Sequence, residues 1–232
     1  TYGGKKLVKN TDYTVSYSKN TAIGQACVKI TGKGLYKGTK TVNFNIRPAT
    51  VTNLKVSSTG EKSVKLSWKK VTGADSYAIY RYDNTSKKWQ RIKTVKAVSF
   101  TDSGLARAKG YSYKVKAVKK SGGKEYISAS YSKSVEAVTK PAKASCTAKS
   151  AGSGSIEVSW KAVGGASGYE IYSSSNGSDY VKSAKVGGSK KSAIVSGFEP
   201  YSLRMVKIRA YKTVNGKTSY GAFSQAVMVI VR

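Results

Sequence analysis

The chain has 232 residues and combines 42 Lys and Arg with 11 Asp and Glu, a formal net charge of +31. A surface this basic attracts anionic partners at neutral pH. The sequence contains no His, which excludes Ser-His-Asp triads and removes the commonest general base and zinc ligand. It also lacks any apolar run of about 18 residues, the length that a membrane-spanning helix needs, and residues 1–10 lack the apolar core of a secretory signal.

Residues 1–47 predict three strands that share one apolar face. Apolar and polar residues alternate in three stretches, a period of two that is typical of half-buried strands. The motif D-Y-T-V-S-Y, followed by T-G-K-G-x-Y-x-G-T-K-T-V, resembles the second half of Ig-like repeats of Gram-positive surface proteins. We therefore expect a partial Ig-like domain with an open sheet edge. The alternating residues are Tyr13, Val15 and Tyr17, then Ala26, Val28 and Ile30, then Val42, Phe44 and Ile46.

The rest of the chain contains an internal repeat with a spacing of 92 positions. The stretch SVKLSWKKVTGADSYAIY is matched by SIEVSWKAVGGASGYEIY, and YSKSV is matched by FSQAV. A constant spacing between several matched residues indicates two copies of one structural unit. The matched pairs include Trp68 with Trp160, Tyr77 with Tyr169, Tyr80 with Tyr172, and Tyr131 with Phe223.

Each copy predicts a series of short strands. In the first copy Val64, Leu66 and Trp68 alternate with polar residues, and Ile156, Val158 and Trp160 repeat the pattern. Turn residues follow each Trp and precede the next strand, and later strands are predicted by Tyr113, Val115 and Ala117 and by Val206, Ile208 and Ala210. Turns recur every 8 to 12 residues or so, as in a β-sandwich.

These motifs resemble the fibronectin type III domain in the form common in bacterial secreted proteins. The shared features are a strand that ends in Trp, a Y-x-I-Y strand, a Leu before a turn, Y-x-Y-K-V-K-A and a closing Y-S-x-x-V. The resemblance implies that Trp68, Trp160, Tyr77 and Tyr169 belong to the core. It also implies a tyrosine corner, which Leu105 and Tyr111 match. In the second copy Phe198 replaces the Leu and Arg204 replaces the Tyr, so we expect that corner to be lost or rebuilt and the second copy to be the less stable.

Short basic-Pro junctions at Pro48 and Pro141 divide the chain, because a residue before proline is restricted to extended geometry. The predicted domains are a partial Ig-like domain (1–47), a first repeat (48–139) and a second repeat (140–232). The predicted fold class is therefore all-β, with tandem Ig-like and fibronectin type III sandwiches in an elongated, semi-rigid arrangement.

The sequence favours no catalytic, cofactor or metal site. Cys27 and Cys146 fall in different predicted domains, and we interpret both as free thiols. The Asp and Glu residues fall mostly in turns, without glycosidase or calcium-loop spacing. The Gly-Lys segments do not open helices, as a phosphate-binding loop would.

One cluster in the first repeat combines aromatic and basic side chains. Such a surface could stack sugars or bases while its cations bind phosphate or carboxylate; alternatively, the aromatic residues pack on an edge strand and the lysines protect the edge. The second repeat has Ser173, Ser174 and Ser175 at the positions of Arg81, Tyr82 and Asp83, so we expect the surface in the first repeat alone. Its members are Tyr80, Arg81, Tyr82, Lys87, Lys88, Trp89 and Arg91.

The expected function is non-catalytic. The lysines are dispersed and no nucleic-acid-reading motif is present, which does not favour nucleic acid as a partner. Together, the charge and the resemblance predict a spacer or adhesion region of a larger secreted or cell-surface bacterial protein, monomeric, that binds an anionic cell-wall polymer, a polysaccharide or another protein. The alternatives are an accessory carbohydrate-binding region of a secreted hydrolase whose catalytic domain lies elsewhere, and a stalk that binds host matrix, although no Arg-Gly-Asp triplet is present.

Overall fold

The computed structural model describes residues 1–232, and all its regular secondary structure is β-strand. It contains no helix long and apolar enough to cross a lipid bilayer. The strands are β1 (Tyr13–Ser18), β2 (Gly24–Gly32), β3 (Thr39–Ile46), β4 (Lys55–Thr59), β5 (Ser63–Ser67), β6 (Ser76–Asp83), β7 (Lys88–Val95), β8 (Ser99–Ser103), β9 (Gly110–Ser121), β10 (Lys124–Ile127), β11 (Val135–Val138), β12 (Cys146–Ser150), β13 (Ser155–Trp160), β14 (Gly168–Ser174), β15 (Val181–Gly187), β16 (Ser192–Ser196), β17 (Leu203–Val214), β18 (Lys217–Tyr220) and β19 (Val227–Ile230).

The chain forms two compact units. One comprises Thr1–Lys55, Ser67–Phe100 and Tyr113–Val135, and the other comprises Val56–Leu66, Thr101–Ser112 and Glu136–Arg232. The predicted domain boundaries at Pro48 and Pro141 remain predictions.

The first three strands form an antiparallel sheet in the order β1-β2-β3, so the three strands expected from the alternating pattern are confirmed. In the register Tyr17 lies opposite Val28, and Val28 lies opposite Val42, which aligns the apolar residues on one face. Much of this face is open to solvent, since Tyr17 is 57% exposed and Val42 45%. We refer to it as the open face of the N-terminal sheet.

Each repeat contains a three-stranded sheet and a larger antiparallel sheet. The first repeat has the orders β4-β5-β8 and β10-β9-β6-β7, with β11 also paired to β9. The second repeat has the corresponding orders β12-β13-β16 and β15-β14-β17-β18, with β19 paired to β17. The alternation in β5 buries Val64 and Leu66 completely, and that in β13 buries Ile156 and Val158.

The sandwich core of the second repeat joins inward residues of both sheets. Ile156 and Val158 from the smaller sheet belong to the same cluster as Tyr169, Ile171 and Ile208 from the larger one. Full burial of a Val, Ile or Leu side chain contributes roughly 1.5–3 kcal/mol of favourable transfer free energy. The predicted fold class, all-β with antiparallel sandwiches, is confirmed.

The matched Trp and Tyr residues occupy equivalent places in both repeats. The Trp68 and Tyr77 rings lie 5.4 Å apart, and those of Trp160 and Tyr169 lie 5.1 Å apart. The Tyr77 hydroxyl accepts a hydrogen bond from the Val71 amide at 2.8 Å, and the Tyr169 hydroxyl accepts one from the Val163 amide at 2.7 Å. Each Tyr therefore fixes the turn that precedes its own strand.

The tyrosine corner is present in the first repeat and rebuilt in the second. The Tyr111 hydroxyl accepts a hydrogen bond from the Ala106 amide at 2.9 Å, directly after the buried Leu105. In the second repeat the Arg204 guanidinium lies 5.0 Å from the centre of the Phe198 ring. A cation–π contact thus replaces the hydrogen bond of the corner.

Both cysteines are free, as predicted. Cys146 lies on β12 opposite Trp160, with its sulfur 3.4 Å from the Ser224 hydroxyl. Cys27 lies on β2 with its sulfur 2.9 Å from the Ser18 hydroxyl.

Candidate functional site

The outer face of the larger sheet in the first repeat brings aromatic and basic side chains together. Successive side chains of β6 alternate between the two faces, so Tyr80 and Tyr82 point away from buried Ile79. The register places Tyr82 opposite Trp89 on β7 and Tyr80 opposite Lys114 on β9. The local alternation of each strand therefore produces one shared surface.

Two pairs of rings on this surface meet at steep angles. Tyr82 and Trp89 lie 5.3 Å apart between ring centres with an interplanar angle of 61°, and Tyr80 and Tyr131 lie 5.0 Å apart at 89°. Trp89 and Tyr131 are 6.5 Å apart. Edge-to-face arrangements of this kind contribute roughly 0.5–1.5 kcal/mol per pair beyond the area they bury.

Two lysines of β9 lie against these rings. The Lys114 ammonium is 4.4 Å from the centre of the Trp89 indole and 5.4 Å from that of Tyr131, and the Lys116 ammonium is 4.2 Å from Tyr131. Burial lowers the pKa of Lys116, and the nearby positive charge of Arg47 lowers it further. We call Tyr80, Tyr82, Trp89, Lys114, Lys116 and Tyr131 the stacked face of the first repeat.

Arg91 lies at the border of this face and binds a carboxylate. Its guanidinium donates to Glu125 at 2.9 Å and to the Thr94 hydroxyl at 2.7 Å. The hydrogen bond from Arg91 lowers the pKa of Glu125, against the opposing effect of burial. The charge of Arg91 is thus neutralised by Glu125 within the protein. On the same face, burial raises the pKa of Tyr80, and the neighbouring Tyr131 raises it further.

The other predicted members of the cluster lie apart from the stacked rings. Arg81 is on the opposite side of β6, since its partner across the sheet is the buried Tyr113. Lys87 and Lys88 are exposed at the turn between β6 and β7, and Lys87 has a positive φ of 55°. The Asp83 side chain organises this turn by accepting hydrogen bonds from the Thr85 backbone amide, the Ser86 hydroxyl and the Gln90 side-chain amide.

The second repeat has a stacked face of its own, contrary to our expectation that only the first repeat would have one. The Lys207 ammonium is 3.5 Å from the centre of the Tyr180 ring and 4.7 Å from that of Phe223. Tyr172 and Phe223 are 5.0 Å apart at 87°, like Tyr80 and Tyr131. The 92-residue spacing does not reveal this face, because Tyr180 lies 91 positions after Trp89, one position short of the repeat.

A buried carboxylate distinguishes the second face from the first. The Glu170 side chain is only 2% exposed and accepts hydrogen bonds from Arg209 at 2.8 Å and Tyr172 at 3.2 Å. Burial disfavours its charged form, but hydrogen bonds and attraction from Arg209 and Lys182 outweigh that effect and lower the pKa of Glu170. The corresponding residue in the first repeat is Ala78, whose partner across the strands is Lys116 rather than arginine.

From the sequence, Lys114 and Lys116 are predicted to lie on a strand and Tyr131 in a closing motif, without any indication that the three share a surface. The signal in the sequence that points to this surface is the alternation of apolar and basic residues in Y-K-V-K-A, which directs both lysines away from the core. Chemically, the stacked faces present ammonium groups that lie against aromatic rings, those of Lys114 and Lys116 in the first repeat and that of Lys207 in the second. The structure contains no group of three or more Cys, Asp and Glu side chains arranged to bind a metal ion.

Comparison with known proteins gives partial matches. No family model matches the sequence. The chain is 42% identical over 100 residues to a poly(3-hydroxybutyrate) depolymerase of Ralstonia pickettii; the match covers 43% of this chain and 18% of the depolymerase. Among solved structures, the FN1–FN3 domains of chicken CNTN1 align with 90% of this chain and 77% of their own length at 17% identity and a TM-score of 0.41. A segment of two fibronectin type III domains from chicken tenascin aligns with 78% of this chain and 98% of its own length, at 19% identity and a TM-score of 0.46.

Proposed function

We propose that this chain is a non-catalytic array of fibronectin type III-like modules in a larger extracellular bacterial protein, and that it binds an anionic polymer of the cell wall. The observation on which this rests is the pair of stacked faces, one in each repeat, on which lysine side chains lie against aromatic rings. A cation held by a ring has lost part of its conformational freedom before the polymer arrives, so less entropy is lost on binding.

The charge balance supports an anionic partner over a neutral sugar. Only 11 carboxylates accompany 42 cations, and Glu125 and Glu170 are already bound to Arg91 and Arg209. The Trp89 ring, which a sugar would stack on, is in contact with Lys114. Repeating phosphate or carboxylate groups are therefore better complements to these faces than a neutral pyranose ring.

The test is retention on purified Gram-positive cell walls over a salt gradient. We expect bound protein to elute between about 0.05 and 0.5 M salt, because contacts among exposed charges are screened over this range. A triple variant, Lys114→Met, Lys116→Met and Lys207→Met, removes three ring-bound charges. The matched control, Lys29→Met, Lys65→Met and Lys93→Met, removes three exposed strand lysines of equal charge.

Elution of the ring-bound triple variant at clearly lower salt than the control would support the stacked faces as the binding surface. Equal shifts would assign binding to net charge alone. Retention that does not change with salt would refute the electrostatic proposal. Circular dichroism melting of both variants verifies that each is folded at the temperature of the assay.

A second candidate follows from the partial match to the depolymerase. On this proposal the modules are an accessory region of a secreted polymer hydrolase. They either bind the solid polymer or act as a spacer that determines how far a catalytic domain extends. Binding of the chain to poly(3-hydroxybutyrate) films that persists at high salt, and that Trp89→Ala weakens, would favour this function. Absence of film binding would oppose direct polymer contact.

A further inference from the structure

One end of the second repeat exposes four large apolar side chains. Tyr201 is 86% exposed, Leu203 43%, Met228 69% and Ile230 61%. Leu203 lies opposite Ile230 in the pairing of β17 with β19, and Met228 is two residues from Ile230, so these three share one face. Tyr201 lies beside them, since its amide donates to the Val231 carbonyl at 2.7 Å. We call these four residues the end patch.

The equivalent positions of the first repeat are covered by the second repeat. Val115 lies opposite Ile79 in the first repeat, and Ile208 lies opposite Ile171 in the second, so these two residues are equivalent. The same offset makes Ala108 equivalent to Tyr201 and Gly110 equivalent to Leu203. Ala108 and Tyr201 also share a positive φ, 48° and 60°. By the 92-residue spacing, Glu136 and Val138 are equivalent to Met228 and Ile230.

Two elements of the second repeat cover those positions. A Cβ atom added at Gly165 would lie 3.2 Å from the Ala108 Cβ, and one added at Gly110 would lie 2.8 Å from Val214 Cγ1, on the hairpin between β17 and β18. From the same hairpin, Lys217 Nζ donates to the Glu136 carbonyl oxygen at 3.1 Å. A glycine turn and a hairpin therefore form this junction.

The first repeat uses the same two elements against the N-terminal sheet. A Cβ atom added at Gly73 would lie 2.8 Å from Ile23 Cδ1, and one added at Gly24 would lie 3.5 Å from Ser121 Oγ, on the hairpin between β9 and β10. Gly73 and Gly165 have φ values of 77° and 75°. The contact of Ile23 with Gly73 demonstrates that a large apolar side chain fits opposite such a glycine turn.

We propose that the end patch is a docking surface for a further β-sandwich module outside these 232 residues, which contacts it through its own glycine turn and hairpin. The patch lies at the positions that are used at the preceding junction, and its apolar side chains are suited to burial. A second copy of this chain is a poor occupant, because its two corresponding hairpins already contact its own preceding strands.

The experiment extends the chain after Arg232 with a second copy of residues 48–139, so that Arg232 precedes Pro48 as Arg47 does in the native sequence. The appended module contains Gly73 and Ser121 and no Met, so Met205 and Met228 remain the only methionines. Oxidation by hydrogen peroxide, followed by mass spectrometry, measures the exposure of Met228. We expect its oxidation in the extended chain to be slower by about fivefold or more than in the 232-residue chain.

Two variants of the extended chain test specificity. Ile230→Lys places a charge in the end patch and should restore rapid oxidation of Met228. Ile194→Lys changes an isoleucine of similar exposure, 66%, on β16, and should leave Met228 protected. Equal oxidation of Met228 in the extended and the 232-residue chains would overturn the proposal. Protection of Met228 that grows with the concentration of the 232-residue chain would also overturn it, because the occupant would then be a second copy.

Discussion

Replacing Arg209 with methionine should destabilise the second repeat by leaving Glu170 without its main partner. Glu170 is 2% exposed and Arg209 23%, and two nitrogens of Arg209 donate to the same carboxylate oxygen at 2.9 and 2.8 Å. Removal of one partner of a buried ion pair costs about 3–5 kcal/mol. Since Lys182 remains 3.4 Å from the carboxylate and is half exposed, we expect about 2–3 kcal/mol for Arg209→Met.

Native-state hydrogen exchange with peptide-resolved mass spectrometry measures this loss within the second repeat. The most protected amides of β14 and β17 should exchange about 30- to 150-fold faster, the equilibrium equivalent of this free energy. A matched control is the double variant Glu170→Ala, Arg209→Lys, which reproduces Ala78 and Lys116 of the first repeat. Because it removes the buried charge together with its partner, it should stay within about 1 kcal/mol of the parent.

If the amides of β14 and β17 exchange in Arg209→Met as slowly as in the parent, the Glu170–Arg209 pair does not stabilise the second repeat. Equal losses in the single and double variants would assign the effect to the packing of Arg209 on Tyr172 and Phe223 instead. The pH dependence follows from the lowered pKa of Glu170. The pair stabilises the fold fully above the ordinary Glu pKa, near 4.5, and this contribution is lost as pH falls through the lower, folded value. The difference between parent and Arg209→Met should therefore narrow in acid.

Two further substitutions test single hydrogen bonds. Tyr111→Phe removes the hydroxyl that accepts the hydrogen bond of the Ala106 amide, and it should lower the unfolding free energy of the first repeat by about 1 kcal/mol. Hydrogen exchange should change little in the second repeat. Unchanged exchange in the first repeat would contradict a stabilising role of the corner. Trp160→Phe removes a hydrogen bond of 3.1 Å to the Lys190 carbonyl, whereas the buried Trp68 indole nitrogen has no hydrogen-bond partner. Urea unfolding should therefore give a loss larger by about 1 kcal/mol for Trp160→Phe than for Trp68→Phe, and equal losses would argue against this role of the bond.

The sequence was sufficient for the strands because their pattern is local. The period of two places Val64 and Leu66 in the core, and the fixed spacing identifies Trp160 and Tyr169 as counterparts of Trp68 and Tyr77. The corner of the first repeat is predicted by the resemblance, because Leu105 and Tyr111 match the Leu and Tyr spacing of that family. The strand pattern and the corner depend on residues that are close in sequence, and the constant spacing extends both predictions from one repeat to the other.

The stacked faces were only partly predictable because they depend on pairing between distant strands. Tyr80, Tyr82 and Trp89 belong to one hairpin, so their sequence positions alone predict that they lie together. Lys114 and Tyr131 reach them through the register of β9 and the segment after β10, which sequence spacing alone does not give. Arg81 is adjacent to these tyrosines in sequence, but strand alternation directs its side chain to the other face.

The open face of the N-terminal sheet has a consequence for the colloidal behaviour of the protein. At low ionic strength the charge of +31 keeps molecules apart by mutual repulsion. Salt shortens the range of that repulsion to about 10 Å at 0.1 M, while the attraction between exposed apolar residues such as Tyr17 and Val42 persists. The salt that releases the protein from an anionic polymer therefore also favours its self-association. Light scattering should accompany every salt titration of this chain in order to detect that self-association.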